Sequence, residues 1–162
     1  MKPVAPIRPS PIAGIWYENN PEKLAAKVDG YLDKVVLPDF DGDVVGVIAP
    51  HAGFRYSGAV AGHAFAAVRA RDFDLVALLS PMHAAHPDSF LCASHHAYAT
   101  PLGKIPIARD LVDAVDSNLR EELGFGLTPI ANDREHSLEI ELPFLQRALS
   151  GDFSLLPIMI RS

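Results

Sequence analysis

"VVGVIAPHAGFRYSG", residues 44–58, joins an apolar run to a loop that contains a histidine. The run is short, rich in β-branched residues and continuous rather than alternating, which is typical of a strand buried on both faces of a parallel sheet. It ends at Pro50 and His51 follows, while Gly53 and Gly58 allow the backbone to turn sharply and to approach a ligand closely. The stretch therefore predicts a buried strand, "VVGVIAP", followed by a loop that carries an ionisable ring.

Two further apolar runs, "FDLVALLSP" and "FSLLPIMI", have the same character, and "SFLCASHHAY" is a less regular candidate strand. Between the first and second runs, "SGAVAGHAFAAVRA" places Val60, Ala64 and Val68 on one helical face. A strand, a helix and a strand in succession predict a βαβ unit with parallel strands and a right-handed crossover.

Helix signals occur in three other segments. In "NNPEKLAAKVDGYLDKV", Asn20 suits the N-cap and Pro21 the first helical position. The apolar stripe of this helix consists of Leu24, Val28, Tyr31 and Val35. "ARDLVDAVDSNLREELG" has Gly124 as its C-cap, and in "EHSLEIELPFLQRALSG" Pro143 either kinks the helix or marks the start of its regular part.

The composition fits one globular domain, 1–162, in which residues 1–13 form an extended, proline-rich arm over the surface. Hydrophobic residues make up 49% and charged residues 21%, and no apolar run reaches the roughly 18 residues of a membrane span. The net charge of −6, without a cluster of Lys and Arg, argues against nucleic acid as a partner. The single cysteine, Cys92, fits a reducing cytoplasm and is interpreted as a buried thiol rather than a reactive one.

Two histidines follow predicted parallel strands. In open α/β sheets ligands bind beyond the carboxyl ends of the strands, and His51 and His83 each come directly after such a strand. If the strands are neighbours, about 4.8 Å apart, the two rings can meet at one metal ion. A loop that binds phosphate is the alternative, but neither GxxxxGK[ST] nor GxGxxG is present. Tyr56 lies in the same loop and lines a pocket in this interpretation, or belongs to the core.

His136, with Glu139 three residues later, is the third candidate. This spacing places both side chains on one helical face, where they can serve as ligand, supporting partner or general acid/base. The alternative is a solvated polar face.

Six segments together resemble the N-terminal portion of the MEMO family, whose microbial members are also called AmmeMemoRadiSam system protein B. In order, they are "AGIWYENNPEKLAAKVDGYL", "IAPHAGFRYSGAVAGHAF", "LLSPMHAAH", "TPLGKIPI", "EHSLEIELPFLQ" and "LLPIMI". The resemblance implies a three-layer α/β/α fold with a mostly parallel sheet, similar to class III extradiol dioxygenases (LigB-like). It also implies that His51 and His83 bind a divalent transition metal, iron or copper and otherwise zinc, with His136 beside the same pocket.

The sequence departs from the family pattern at three places. Ile12 stands where the family usually has a histidine, and Ala84 replaces a second histidine after His83. Family members also continue well beyond the last strand, so the resemblance implies a fold that is incomplete at the C-terminus and a third metal ligand supplied from elsewhere.

Three functions remain open at this point. The first is a metal-dependent, dioxygenase-like oxidoreductase, and the second is a non-enzymatic protein whose former active-site pocket binds a peptide or a small anion. The third is metal-assisted hydrolysis with Glu139 as the base. A small-molecule or peptide ligand, no membrane partner and a possible homo-oligomer complete these expectations.

Overall fold

The computed structural model describes residues 4–39 and 41–161. The two longest strands are Leu75–Pro81 and Ser154–Ile160, and helices and strands alternate irregularly along the chain. In order, they are β1 (Ile7–Arg8), α1 (Pro21–Leu32), α2 (Phe54–Ala66), β2 (Leu75–Pro81), β3 (Phe90–Ala93), β4 (Ala97–Thr100), β5 (Gly103–Pro106), α3 (Arg109–Leu123), β6 (Thr128–Ile130), a 3-10 helix (Glu139–Glu141), α4 (Leu142–Ala148) and β7 (Ser154–Ile160).

The strands form two sheets, so the fold is mixed α/β. The larger sheet has the order β2-β7-β3-β6, in which β2 and β7 are parallel in full register from Leu75 opposite Ser154 to Pro81 opposite Ile160. β3 is parallel to β6 but antiparallel to β7. The smaller sheet has the order β1-β4-β5, with one parallel and one antiparallel pairing. The strands predicted from "FDLVALLSP" and "FSLLPIMI" are thus confirmed and lie side by side.

The strand predicted from "VVGVIAP" is wrong. Residues 43–50 belong to no strand, and they make no backbone–backbone hydrogen bond with any other residue in the described ranges. Val45 is 100% exposed and Ile48 98%, whereas Val44 and Val47 pack against the core. Apolar, β-branched composition favours a strand, but a strand also needs a neighbour to satisfy its N–H and C=O groups. No described residue supplies one, so the predicted βαβ unit keeps only its helix and its second strand.

Local signals predict the start of α1 and the end of α3, whereas the stripe predicted for α1 reaches Val35, beyond its last residue, Leu32. The Asn20 side chain accepts a hydrogen bond from the Lys23 N–H at 2.8 Å, which caps α1 in the predicted way. α3 ends at Gly124, whose φ of 75° is the left-handed conformation that glycine adopts easily. In the third segment the regular helix α4 begins at Leu142, beside Pro143, which confirms the second of the two alternatives for that proline.

The apolar face predicted for α2 is buried only in part, although the helix is present: Val68 is buried, just beyond the last residue of α2. Val60 is exposed, and the side of α2 that faces the core carries two glycines. A Cβ at Gly58 would stand 2.6 Å from the Tyr31 ring, and one at Gly62 would stand 2.9 Å from Tyr31 Cβ. Gly58 therefore serves the close packing of α2 on α1 rather than the approach of a ligand.

The N-terminal segment is more deeply integrated than the surface arm that its prolines predict. Ile7–Arg8 pairs in parallel with Ala97 and Tyr98 of β4, and both Arg8 and Ile12 are buried. "SFLCASHHAY" also divides, because β3 joins the larger sheet and β4 the smaller one. Cys92 is buried on β3, as predicted, and burial raises the pKa of its thiol. Within residues 4–39 and 41–161, every helix is too short or too polar to cross a membrane.

Candidate metal centre

A cavity of about 760 Å³ lies beside the carboxyl end of β2. It is lined by histidines, by an exposed aromatic and apolar rim, and by one arginine. The lining residues are Ile15, Trp16, Pro50, His51, Ala52, Gly53, Arg55, Tyr56, His83 and His136. Five residues that the sequence singles out, His51, Gly53, Tyr56, His83 and His136, therefore meet in one cavity.

The three histidine rings of the cavity lie close to one another. The ring centres of His51 and His83 are 5.3 Å apart, and those of His51 and His136 are 6.3 Å apart. His83 and His136 stack almost parallel, at 4.7 Å and 11°. Two imidazoles that share one ion at about 2.1 Å have ring centres roughly 4.5 to 6 Å apart. The His51–His83 and His83–His136 spacings fall within this range, and the His51–His136 spacing lies just above it.

The donor types in the cavity also suit a transition metal. Imidazole nitrogen favours zinc, copper, iron and nickel over magnesium or calcium. One donor atom each from His83, Glu135 and His136 lies within 4.8 Å of the others, so a carboxylate stands close to two of the imidazoles. The cavity therefore fits a metal of the predicted class.

His83 is held firmly by Glu135, which the sequence reasoning did not single out. The Glu135 carboxylate accepts hydrogen bonds from the His83 backbone N–H at 2.6 Å and from His83 Nδ1 at 2.9 Å. It also accepts from the backbone N–H groups of His136 and Ser137, at 2.8 and 3.0 Å. Burial opposes the charge of this carboxylate, but these donors outweigh burial and lower its pKa to about 2.

His136 lies before the 3-10 helix, in irregular backbone, so the predicted helical face shared with Glu139 is wrong. Its ring packs between His83 and Trp16, whose ring centre is 4.1 Å away. Burial lowers the pKa of His136; Glu135 opposes this effect, whereas His83 and His51 reinforce it. The ring is therefore biased towards its neutral form, which has a free nitrogen lone pair.

Glu139 is not brought to the histidines. Its carboxylate binds Arg8 Nη1 at 2.7 Å and accepts hydrogen bonds from the hydroxyls of Tyr17, at 2.8 Å, and Ser10. Glu139 is 1% exposed and does not line the cavity. It can act as a base on a bound substrate only after its own buried hydrogen bonds break.

Arg8 connects this buried cluster to the loop that carries His136. Its guanidinium binds the Asp133 carboxylate at 2.7 Å and the Glu135 carbonyl at 2.6 Å, in addition to Glu139. Ser137 ties the same loop to the end of β2, because its hydroxyl donates to the Pro81 carbonyl at 2.6 Å. The loop of residues 133–139 is thus held by Arg8 and, separately, by the end of β2.

His51 is held less tightly. Its ring makes no hydrogen bond to any residue in the described part of the chain, and the backbone of residues 43–50 before it is unpaired. On its other side α2 begins with Gly53 as the N-cap, and the Phe54 N–H donates to the Trp16 carbonyl at 3.0 Å. Gly53 has an ordinary φ of −55°, so it does not need glycine's conformational freedom. Tyr56 stands at the rim and is 82% exposed.

The other histidines lie outside this cavity. His63 is exposed on α2, and His95 is buried where its Nδ1 contacts the Ala5 carbonyl at 2.7 Å. His86 and His96 are likewise absent from the cavity lining.

Three residues of the site were missed at the sequence level: Glu135, Trp16 and Arg8. Glu135 directly precedes His136 in "EHS", so adjacency was a usable signal. Nothing in the proline-rich segment around Arg8 indicates a buried ion pair 131 residues away from its partner. A second cavity, of about 600 Å³, lies at the amino ends of β2 and β7, but no histidine lines it.

Comparison with known proteins supports one family. A family model described as "Memo-like protein" matches residues 8–162. A MEMO1 family protein of Pyrobaculum aerophilum is 29% identical over 162 residues, which cover 95% of this chain and 56% of the relative. Relatives from Methanosarcina barkeri and Thermotoga neapolitana are 30% and 31% identical, with 95% of this chain and 54% and 58% of their own lengths covered. The chain thus spans about half the length of the curated relatives that it matches.

Proposed function

Since the chain belongs to the Memo-like protein family, we propose that its histidine cavity binds one divalent transition metal and supports a dioxygenase-like oxidation. The convergence of His51, His83 and His136 at the carboxyl end of β2 carries the proposal. His51 and His83 are the proposed ligands, and iron or copper is the proposed metal, with zinc as the redox-inert alternative. The three-layer, mostly parallel, LigB-like arrangement is part of the same proposal.

Each histidine has a distinct task in this site. His51 and His83 would hold the metal, which would supply redox and Lewis-acid chemistry for the reaction of O₂ with an oxidisable substrate. His136 borders the same cavity and is placed to donate or accept a proton at the bound substrate. Trp16 and Ile15 form an apolar wall that orients a flat ring. For a catechol, the expected product is a ring-opened chain that contains both oxygen atoms of O₂.

Metal analysis tests the first part of the proposal. Wild-type protein purified without a histidine tag is expected to bind about one equivalent of metal, and the His51→Ala, His83→Ala double variant is expected to bind none. His63→Ala is the matched control, because His63 is exposed and outside the cavity. Wild-type protein without stoichiometric metal, or a double variant that retains it, would contradict the proposal.

Activity is tested separately. Protein loaded with Fe(II) is mixed with a panel of catechols under air, and ring opening is followed by absorbance. The His136→Ala variant is expected to bind the metal but to turn over more slowly, by about 10²- to 10⁴-fold for a general acid/base. Absence of turnover across the panel, with the metal bound, would exclude the oxidation and leave only metal binding.

A non-enzymatic binding role is the second candidate, and the rim of the cavity favours it. Arg55, exposed Tyr56 and Trp16 offer one cation and aromatic surface to a peptide or a small anion. NMR titration with inorganic phosphate and with a short acidic peptide tests this role. Wild-type protein and Arg55→Ala are both titrated without metal. Resonance shifts that saturate in the wild type and disappear in Arg55→Ala would favour the binding role over the oxidation.

The remaining expectations about partners and location belong to this proposal as well. We expect a small molecule or a peptide as ligand and no nucleic acid, since the net charge is −6. We also expect a cytoplasmic location and no membrane partner. Self-association into a homo-oligomer is tested by light scattering over a range of protein concentrations.

A further inference from the structure

Glu135 belongs to a group whose spacing suits a metal, yet its own hydrogen bonds indicate a different task. Its Oε2 accepts from the His83 N–H at 2.6 Å, and its Oε1 accepts from His83 Nδ1, the His136 N–H and the Ser137 N–H. The side chain is 2% exposed. Oε1 already accepts from three N–H groups, so binding an ion through Oε1 would leave buried N–H groups without an acceptor. Oε2 accepts from one N–H group and keeps a second lone pair.

The His83 ring is oriented by the same carboxylate. Because Oε1 is a carboxylate acceptor, Nδ1 of His83 must carry the proton of that hydrogen bond. In a neutral ring Nε2 is then the unprotonated nitrogen, and the His83 side chain is 46% exposed where it lines the cavity. A neighbouring carboxylate that takes Nδ1–H fixes which ring nitrogen is free for a metal.

We propose that Glu135 is the positioning residue of the site, which holds His83 as the Nδ1–H tautomer with Nε2 free and is not itself a ligand. The part that concerns the ring stands on the described hydrogen bonds alone, whereas the part that concerns metal affinity rests on the proposed function. The same carboxylate couples His83 to the loop that carries His136, so one side chain sets the relative placement of both rings.

The first test is made on protein without metal. NMR spectra of ¹⁵N-labelled imidazoles distinguish Nδ1–H from Nε2–H, at a pH where the rings are neutral. We expect the Nδ1–H pattern for His83 in the wild type and its loss in Glu135→Ala. An Nε2–H pattern in the wild type would overturn the proposal without any variant, so a folding failure of Glu135→Ala does not decide the matter.

Ser137→Ala is the matched control. Ser137 tethers the same loop to Pro81 but touches neither ring through its side chain. This variant is expected to lose stability while its His83 tautomer stays as in the wild type. If Ser137→Ala changes the tautomer as much as Glu135→Ala, loosening of the loop explains the effect and Glu135 has no specific role.

Zinc addition separates positioning from ligation. If Glu135 stays outside the ligand set, the backbone N–H groups of His83, His136 and Ser137 keep their protection from hydrogen exchange when Zn²⁺ binds. Zinc affinity is expected to fall about 10- to 100-fold in Glu135→Gln, and less than about 3-fold in Ser137→Ala. Loss of that protection on zinc binding would identify Glu135 as a ligand. No zinc binding by the wild type would instead contradict the proposed function and leave the tautomer result intact.

Discussion

Two segments bring histidines to the cavity, and they are held in opposite ways. Residues 133–139 are fixed by Arg8, by the Glu135 hydrogen bonds and by the Ser137 hydroxyl. Residues 43–50, which lead to His51, have an unpaired backbone within the described part of the chain and two fully outward-facing side chains. One side of the site is therefore preorganised by buried polar contacts, while the other depends on its attachment to α2 and on the packing of Val44 and Val47 against the core.

Hydrogen exchange should show the largest difference between the two segments. The N–H groups of residues 44–49 have no described backbone acceptor, so we expect exchange close to that of an unfolded peptide. The N–H groups of His83, His136 and Ser137 are expected to exchange at least about 1,000-fold more slowly than in an unfolded peptide, because exposing them requires breaking the buried network. Protection of residues 44–49 that rises with protein concentration would break the comparison and indicate pairing with a second copy.

Removing Arg8 is expected to destabilise the firmly held side. Arg8→Met leaves the carboxylates of Asp133 and Glu139 buried without their cation, a change that costs about 3–5 kcal/mol of unfolding free energy. Arg69→Met is the control, because the Arg69–Asp33 pair is exposed and contributes at most about 1 kcal/mol. Urea unfolding measures both, and equal losses in the two variants would show that burial of the Arg8 network does not matter.

The pH dependence of stability distinguishes two buried glutamates, Glu135 in the firmly held segment and Glu141 just after it. Glu135 has four N–H donors and a pKa near 2, below its ordinary value of 4.5. The stability it contributes is fully present above the ordinary value and is lost as pH falls through about 2. We expect the unfolding free energy of the wild type to drop over this range by on the order of 3 kcal/mol more than that of Glu135→Gln.

Glu141 gives the contrasting result. Its Oε2 is buried with no hydrogen-bond partner among residues 4–39 and 41–161, and burial raises its pKa to about 8. The folded state therefore binds this proton more tightly than the unfolded state, and stability falls as pH rises from 4.5 to 8. Glu141→Gln should be more stable than the wild type at neutral pH and equal to it in acid. An unchanged or lowered stability at neutral pH would mean that the carboxylate finds a partner in solution.

The contrast between the two segments also explains what the sequence could predict. Caps act over a few residues, so Asn20, Pro21 and Gly124 predicted the ends of their helices. The strand over residues 44–50 failed because pairing depends on a distant partner, which apolar composition does not provide. His51 and His83 were found from their place after apolar runs, and the structure brings their rings together.

The supporting residues lay beyond the reach of such patterns. The four donors of Glu135 come from two loops more than 50 residues apart, and Arg8 meets partners 125 and 131 residues away. Glu139 has the spacing of a partner for His136, but the backbone around His136 is not helical, so the two side chains diverge. A spacing of three residues places two side chains on one face only if the backbone between them is helical.

The smallest expected effect belongs to the loosely held segment. Ile48→Ser changes a side chain that is 98% exposed, so the unfolding free energy should change by no more than about 0.5 kcal/mol. Leu155→Ala in β7 is the control, because truncation of this buried leucine is expected to lower the unfolding free energy by about 2–5 kcal/mol. If Ile48→Ser costs as much as Leu155→Ala, residues 43–50 are covered in solution. In that case the apolar run does pair, as its composition predicts, with a strand from outside residues 4–39 and 41–161. His51 would then be held as firmly as His83, and the site would be preorganised on both sides.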